Sequence, residues 1–389
     1  MGKYQLDNKG QKSVGKIHEK NSTVGGKGIN TKMLLRLKSK PSVPKWRIKN
    51  MTKKLNIAYV GFGKSTNRYH IPYVKERENI VIKRVVNRTL GKRPEQAELE
   101  ATGTLFSTDV ADIINDDLID LVVIVTPAFA HYDYAKQLLL AGKNVLCDKP
   151  LVETLEQAKE LVDIAKEKNL FFMPFQNRRF DSDFLTVKKV IEQGYLGDLV
   201  DITVNMDHFR PNDASQGGNF DGAWYGHGVH LVDQMVSLFG TPEEVQYDIR
   251  ATRDYDSVDD YFSVNLMYPN LRATVAATEV AAMPHPKWIV YGTKGTFIKM
   301  DVDQQENDLK VGMFPGDEGF GQDSPADFGK LTYFNQNGDR IVKHIPTVAG
   351  DYGRVYDSAY EAIINGADKL VSDEQMLAVI KTLENGFSK

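Results

Sequence analysis

Between residues 55 and 175, short β-branched runs alternate with helical stretches, and this alternation is what most constrains the fold. Strands of a parallel sheet are buried on both faces and read as continuous apolar runs, and joining them requires helical crossovers. The pattern predicts strands at 55–60, 80–86, 121–125, 144–147 and 170–175. Helices are expected after Gly63 to about Lys75, near Asp109 behind a Ser107-Thr108 cap, over 131–141 up to Gly142, and to about Lys168. The last begins at a capping box formed by Thr154 and Gln157. Beyond 172–176 the strands lengthen (199–209, 262–268), with tight turns at 268–270 and 292–295 and closing helices over 351–365 and 373–385. An α/β chain follows, with a Rossmann dinucleotide-binding domain over 51–174 and a C-terminal substrate and oligomerisation domain over 175–389.

Charge sets residues 1–50 apart. They hold thirteen Lys and Arg against two acids, a charge of +11, which leaves −14 for the rest of a chain totalling −3. This basic extension is expected to be disordered or vector-encoded and to lie outside the fold. An acidic globule repels phosphate, so no nucleic-acid partner is expected. No apolar run nears the roughly 18 residues of a membrane span, and one cysteine, Cys147, allows no intrachain disulfide. The composition is that of a cytoplasmic protein without a membrane partner.

A strand leading into Gly61-Phe62-Gly63 and then a helix is the setting a dinucleotide fingerprint needs. The first glycine makes the turn, the second admits the pyrophosphate, and backbone N–H groups over Gly61, Gly63, Lys64, Ser65 and Thr66 face it. Thr66 stands where a third Gly or Ala is usual; it either pushes the helix off the strand or brings a hydroxyl to phosphate. The bland alternative is that the glycines only make a turn. A Walker loop is rejected, because its first glycine would fall at Ala58, inside the strand. The second strand ends in Asn87-Arg88 where NAD sites carry an acid. A guanidinium without a carboxylate suits a 2′-phosphate, so NADP is the expected cofactor, with NAD the alternative and a solvated surface arginine the plain reading.

Four segments in order carry a family resemblance: the glycine loop, Thr126-Pro127 with His131, Asp148-Lys149-Pro150, and Gly228-Val229-His230-Leu231-Val232-Asp233. Over essentially all of 51–389 the chain resembles the Gfo/Idh/MocA oxidoreductases. The loop and Gln176-Asn177-Arg178-Arg179-Phe180-Asp181 resemble a subgroup of enterobacterial-type oxidoreductases of unassigned substrate. The resemblance implies a large open, mostly antiparallel sheet in the second domain, association into a dimer or tetramer, and redox chemistry on a sugar, inositol or related polyol. It places Thr126, Pro127, His131 and Lys149 at the cofactor and makes Lys149 and His230 catalytic. The family usually has Glu where Asp148 stands, and many members have Asp where Gly226 stands. Asp207, Asp221 or water are the candidates to replace that carboxylate.

Chemistry supports the assignment, since alcohol oxidation needs a base for the hydroxyl proton and a group to polarise its oxygen. Burial lowers a lysine's pKa, and histidine titrates near neutrality. Trp224, Tyr225 and His227 are substrate-wall candidates, though such aromatics also serve as core. Of Arg178 and Arg179, one contacts substrate or cofactor and the other a structural carboxylate; Arg179 is the substrate candidate. His227, His230 and Asp233 share a helical side, but a buried, hydrogen-bonded Asp233 is the better reading, and no metal is expected. The competing function is a non-catalytic dinucleotide sensor on the same fold.

Overall fold

A computed structural model describes residues 53–212 and 219–387. Expectations for residues 1–50 lie outside the described residues. The first sheet contains β1 (Leu55–Val60), β2 (Ile80–Val86), β3 (Leu105–Ser107), β4 (Leu121–Ile124), β5 (Asn144–Cys147) and β6 (Phe172–Pro174). All pairings are parallel, in the order β3-β2-β1-β4-β5-β6. All four residues of β4 are inaccessible to solvent, which explains its unbroken apolar sequence. The crossovers carry α1 (Ile71–Lys75), α2 (Pro94–Ala101), α3 (Ala111–Ile114), α4 (His131–Leu140) and α5 (Leu155–Glu167). The Thr154–Gln157 capping box forms as expected. The short α3 has Val110 at its N-cap and no side-chain cap from Ser107 or Thr108; just before it, Asp109 Oδ1 accepts from the Ala111 N–H at 2.9 Å.

Strand order reverses between β1 and β4. The chain leaves their C-terminal ends in opposite directions, opening a crevice there.

The second sheet holds β7 (Leu199–Asn205), β8 (Glu244–Arg250), β9 (Tyr261–Tyr268), β10 (Leu271–Thr278), β11 (Trp288–Gly292), β12 (Gly295–Lys299), β13 (Gly329–Phe334) and β14 (Arg340–Ile345). Its order is β14-β13-β12-β11-β7-β10-β9-β8, antiparallel except for the parallel β7–β10 pair. Along β9, Phe262, Val264, Leu266 and Tyr268 are buried and their neighbours half-exposed, so one face is covered and the other open. The core on this sheet takes in α6 (Ser182–Glu192), α7 (Val229–Phe239) and one side of α10 (Asp373–Asn385), whereas α8 (Gln304–Val311) and α9 (Arg354–Asn365) contribute to the core of the first sheet.

The expected boundary near 172–176 coincides with β6, yet the chain crosses back. Tyr352, Val355, Tyr356, Ala359 and Tyr360, with Met376 and Ile380, join the apolar core built on β1 and β4. Tyr356 Oη lies 2.9 Å from Tyr59 Oη and 2.8 Å from His70 Nδ1. Among the described residues no helix is long and apolar enough to cross a membrane.

Candidate active site

At the end of β1 the chain turns at Gly61 with φ +106°. A Cβ there would lie 2.3 Å from the carbonyl oxygen of Val125, the residue that follows β4, so the close approach of that backbone enforces glycine. A Cβ on Gly63 would meet no protein atom within 4 Å, which leaves room beside the loop. The Thr126 hydroxyl is buried next to this turn without a partner among the described residues. Lys64 is exposed, and Pro127 stands exposed at the rim. Arg88 is exposed and has no hydrogen-bond or ion-pair partner among the described residues. An open backbone loop, an orphaned hydroxyl and a free guanidinium fit the pyrophosphate and ribose ends of a dinucleotide.

Three of the expected cofactor contacts are redirected. Thr66 is fully buried and its hydroxyl donates to the Gly61 carbonyl at 3.0 Å, so it braces the turn and does not reach phosphate. Asn87 accepts from the Phe62 N–H at 3.2 Å and donates to the Thr89 carbonyl at 2.7 Å, fixing the loop to the end of β2. The His131 ring nitrogens sit 2.9 Å from the Thr126 carbonyl oxygen and 2.8 Å from that of Pro150. His131 therefore pins the exits of β4 and β5 together, and its contribution to the cofactor site is indirect.

The crevice has a volume of about 250 Å³. Its floor comes from the end of β5, where Ser65 Oγ donates to Asp148 Oδ2 at 3.0 Å and the Lys149 N–H to Oδ1 at 2.8 Å. Burial alone would raise Asp148, but His70, Lys149 and His131 around it hold the carboxyl down at about 2. Asp148 thus remains an anion that neutralises the floor beneath Lys149. Burial lowers the Lys149 pKa, with Asp148 pulling the other way. Lys149 Nζ donates to the Gly226 carbonyl across the crevice at 3.3 Å.

The opposite wall begins at a wide π-type turn, Trp224–Gly228, that runs into α7. A second such turn, Thr66–His70, flanks the glycine loop. Turns of this kind are frequent at functional sites. His227 and His230 both line the crevice with Lys149. His230 is 4% exposed, and its Nδ1 is buried without a partner among the described residues. Burial, then Lys149, Arg178 and His227, holds it well below the usual histidine range, so it rests neutral. Burial also lowers His227, and Glu279 offsets part of that effect. Its Nε2 lies 2.8 Å from Glu279 Oε1.

The expected substrate wall is otherwise corrected. Arg179 points away from the crevice into a buried bidentate pair with Asp233, at 2.7 and 2.8 Å, and donates to the Leu370 carbonyl at 2.7 Å. Its neighbour Arg178 faces the crevice, held by Glu306 at 3.1 Å and Asp181 at 3.3 Å. Trp224 is core: its indole N–H donates to the Leu383 carbonyl at 2.9 Å, and its ring packs on Phe262. Tyr225 donates to the Glu153 carbonyl at 2.8 Å and stacks on Phe387. Both aromatics are directed from the wide turn into the packing of the closing helices, the alternative that their residue type had left open.

Neither acid expected to replace the Gly226 carboxylate is placed to do so. Asp207 accepts from the Thr278 and His285 N–H groups and pairs with the His285 ring, and Asp221 is exposed. The carboxylate nearest the histidines is Glu279, just beyond β10, with His208 just beyond the parallel neighbour β7. No local spacing advertises either residue, because only strand pairing brings positions 208 and 279 together. A Cβ on Gly226 would meet nothing within 4 Å, so packing does not exclude a side chain there.

The chain matches the description "Oxidoreductase family, NAD-binding Rossmann fold" over residues 55–175 and "Oxidoreductase family, C-terminal alpha/beta domain" over 188–389. It belongs to the Gfo/Idh/MocA oxidoreductase family. Among Gfo/Idh/MocA relatives, the uncharacterized oxidoreductase YhhX of Escherichia coli is 44% identical, over 86% of this chain and 96% of that protein. The scyllo-inositol 2-dehydrogenase (NADP(+)) IolW of Bacillus subtilis is 31% identical, over 85% and 92%. A crystal structure of an oxidoreductase from Bacillus cereus is 47% identical, with a TM-score of 0.84 over 86% of this chain and 96% of that one. The two-domain architecture expected from the motifs is therefore the family's, and the cofactor it carries is a nicotinamide dinucleotide.

Proposed function

We propose that this oxidoreductase interconverts a hydroxyl and a carbonyl on a sugar, inositol or related polyol, with NADP preferred over NAD. The observation that carries the reading is the convergence of Lys149, from the end of β5, and His230, from the first turn of α7, on one crevice beside the glycine loop. A bound nicotinamide supplies the hydride acceptor or donor. Lys149 holds the substrate oxygen and stabilises its negative charge as the C–H bond breaks, and neutral His230 takes the hydroxyl proton. In the reverse direction the same groups return the proton to the carbonyl oxygen. Asp148, Ser65 and His131 fix the position of Lys149.

Two observations support NADP: Arg88 is free at the ribose end, and the relative IolW is named as an NADP(+) enzyme acting on scyllo-inositol. The open face of the second sheet supports association into a homodimer or tetramer. A turnover screen of inositols, other polyols, aldoses and their keto forms, each with NADP and NAD, tests the reading. Turnover of a polyol with NADP is expected. Tight NADPH binding with no turnover across the panel would replace the enzyme by a dinucleotide sensor.

A further inference from the structure

Glu279, His208 and His227 form a group that hydride transfer as described above leaves unused. One donor atom from each lies within 4.8 Å of the other two. His227 Nε2 is 2.8 Å and His208 Nδ1 3.8 Å from Glu279 Oε1. The two imidazoles stack with ring centroids 4.8 Å apart and planes 21° from parallel. His208 Nδ1 is buried with no hydrogen-bond partner among the described residues, and the buried Glu279 Oε2 is met by the Arg210 guanidinium at 3.4 Å. Buried donors and acceptors are normally satisfied, so an orphaned imidazole nitrogen beside a buried carboxylate calls for a ligand.

We propose that His208, His227 and Glu279 bind a divalent cation of the zinc class, leaving one coordination position open toward the crevice. Two imidazoles and one carboxylate are a donor set for such an ion, and three protein ligands with a fourth position free is the arrangement of reactive zinc sites. Bonds of about 2.0–2.2 Å in a tetrahedral site put donors roughly 3.4 Å apart. The present separations bracket that value, and the two stacked rings must rotate for their nitrogens to converge on one ion. All three residues stand on rigid supports: His208 and Glu279 directly follow paired strands, and His227 lies in the wide turn before α7.

Arg210 is the opposing group. Its Nη1 lies 3.4 Å from Glu279 Oε2, and the side chain is 43% exposed. It occupies the carboxylate without the ion and has solvent to swing into when the ion enters. In the helical set His227, His230 and Asp233, the Asp233 carboxylate is already paired with Arg179. The new site takes only His227 from it. Its role rests on the function proposed above: the open position would draw a substrate hydroxyl and make its proton easier to lose.

The test uses the full-length protein stripped with chelator and titrated with Co²⁺ alone and Zn²⁺ alone, without substrate or nucleotide. Four-coordinate cobalt should give intense visible d–d bands at one equivalent, bleached by zinc, with calorimetry giving the same stoichiometry. His208→Ala and Glu279→Gln should each weaken zinc binding by more than the roughly 10–100-fold that losing an outer-shell partner costs. Arg210→Gln should strengthen it, and His285→Ala, at a separate exposed His–Asp pair, should change nothing. Unchanged NADPH affinity in each variant would show that it is folded. Absence of the cobalt bands, or binding that survives both His208→Ala and Glu279→Gln, overturns the site. Because the readout needs no turnover, it can fail while the polyol reading holds, and the polyol screen can fail while the metal binds.

Discussion

Replacing Arg179 by Met separates a structural arginine from a substrate ligand. Arg179 and Asp233 are 7% and 1% exposed, and the guanidinium meets the carboxylate through two bonds of 2.7 and 2.8 Å. Removing one partner leaves an uncompensated buried charge, which typically costs about 3–5 kcal/mol. The Leu370 carbonyl also loses its donor, adding roughly 1 kcal/mol. A loss of about 5 kcal/mol is a large part of the roughly 5–15 kcal/mol that keeps a protein folded. Circular dichroism should therefore show a melting midpoint lower by about 10 °C or more. At a temperature where the variant is still folded, NADPH affinity and substrate KM should be near wild type. The double variant Arg179→Met/Asp233→Leu should recover most of the midpoint, because an apolar pair often replaces a buried ion pair without loss. If Arg179→Met melts like wild type and raises KM instead, the arginine binds substrate and its assignment here is refuted.

Arg88→Ala should weaken NADPH by roughly tenfold to over a hundredfold and leave NADH almost unchanged, since a charge-assisted contact is worth about 1.5–3 kcal/mol; equal effects on both cofactors in fluorescence titrations would remove the 2′-phosphate role. Lys149→Met and His230→Ala should each lower kcat by about 10²–10⁴-fold while retaining NADPH binding. Full turnover by His230→Ala would move the proton transfer to another group. Burial, partly offset by the Trp224 N–H at 2.6 Å, raises Asp259 to about 6, so the folded chain keeps a proton that the unfolded chain has released. Stability should fall as pH rises from about 4 through 6, by up to about 3 kcal/mol in all, and stay lower above. Denaturant midpoints across this range should flatten in Asp259→Asn; an identical slope in both proteins would exclude Asp259 as the source.

The first sheet was legible because its strands are apolar on both faces and its helices begin at recognisable caps. The expected edges of β2, β5 and α10 match those observed. Less of the second domain could be read. The strand expected over 199–209 is regular only to Asn205, but the pairing runs on irregularly: the Met206 and His208 N–H groups donate to the Ala276 and Thr278 carbonyls, and Phe209 bridges Val280. Helix α8 carries a mostly polar sequence and was missed, although Asp303 caps it. At the site, Lys149 and His230 stood in local motifs. Arg179 could not be told from Arg178 by sequence, since one residue of a tight turn decides which faces the crevice. Glu279 and His208 had no signal at all, for their proximity is a product of sheet pairing.

The return of the closing helices to the first core bears on the order in which the protein can be made. Tyr356, Tyr360, Met376 and Ile380 leave the ribosome long after residue 175, yet they join the core of the first sheet. The six-stranded sheet therefore cannot complete its core during synthesis of its own segment, as an N-terminal domain ordinarily would. It must wait, with apolar surface open, until residues 352–380 have emerged. A nascent chain arrested before residue 352 should remain protease-sensitive throughout, including the part that already contains every strand of the nucleotide-binding sheet.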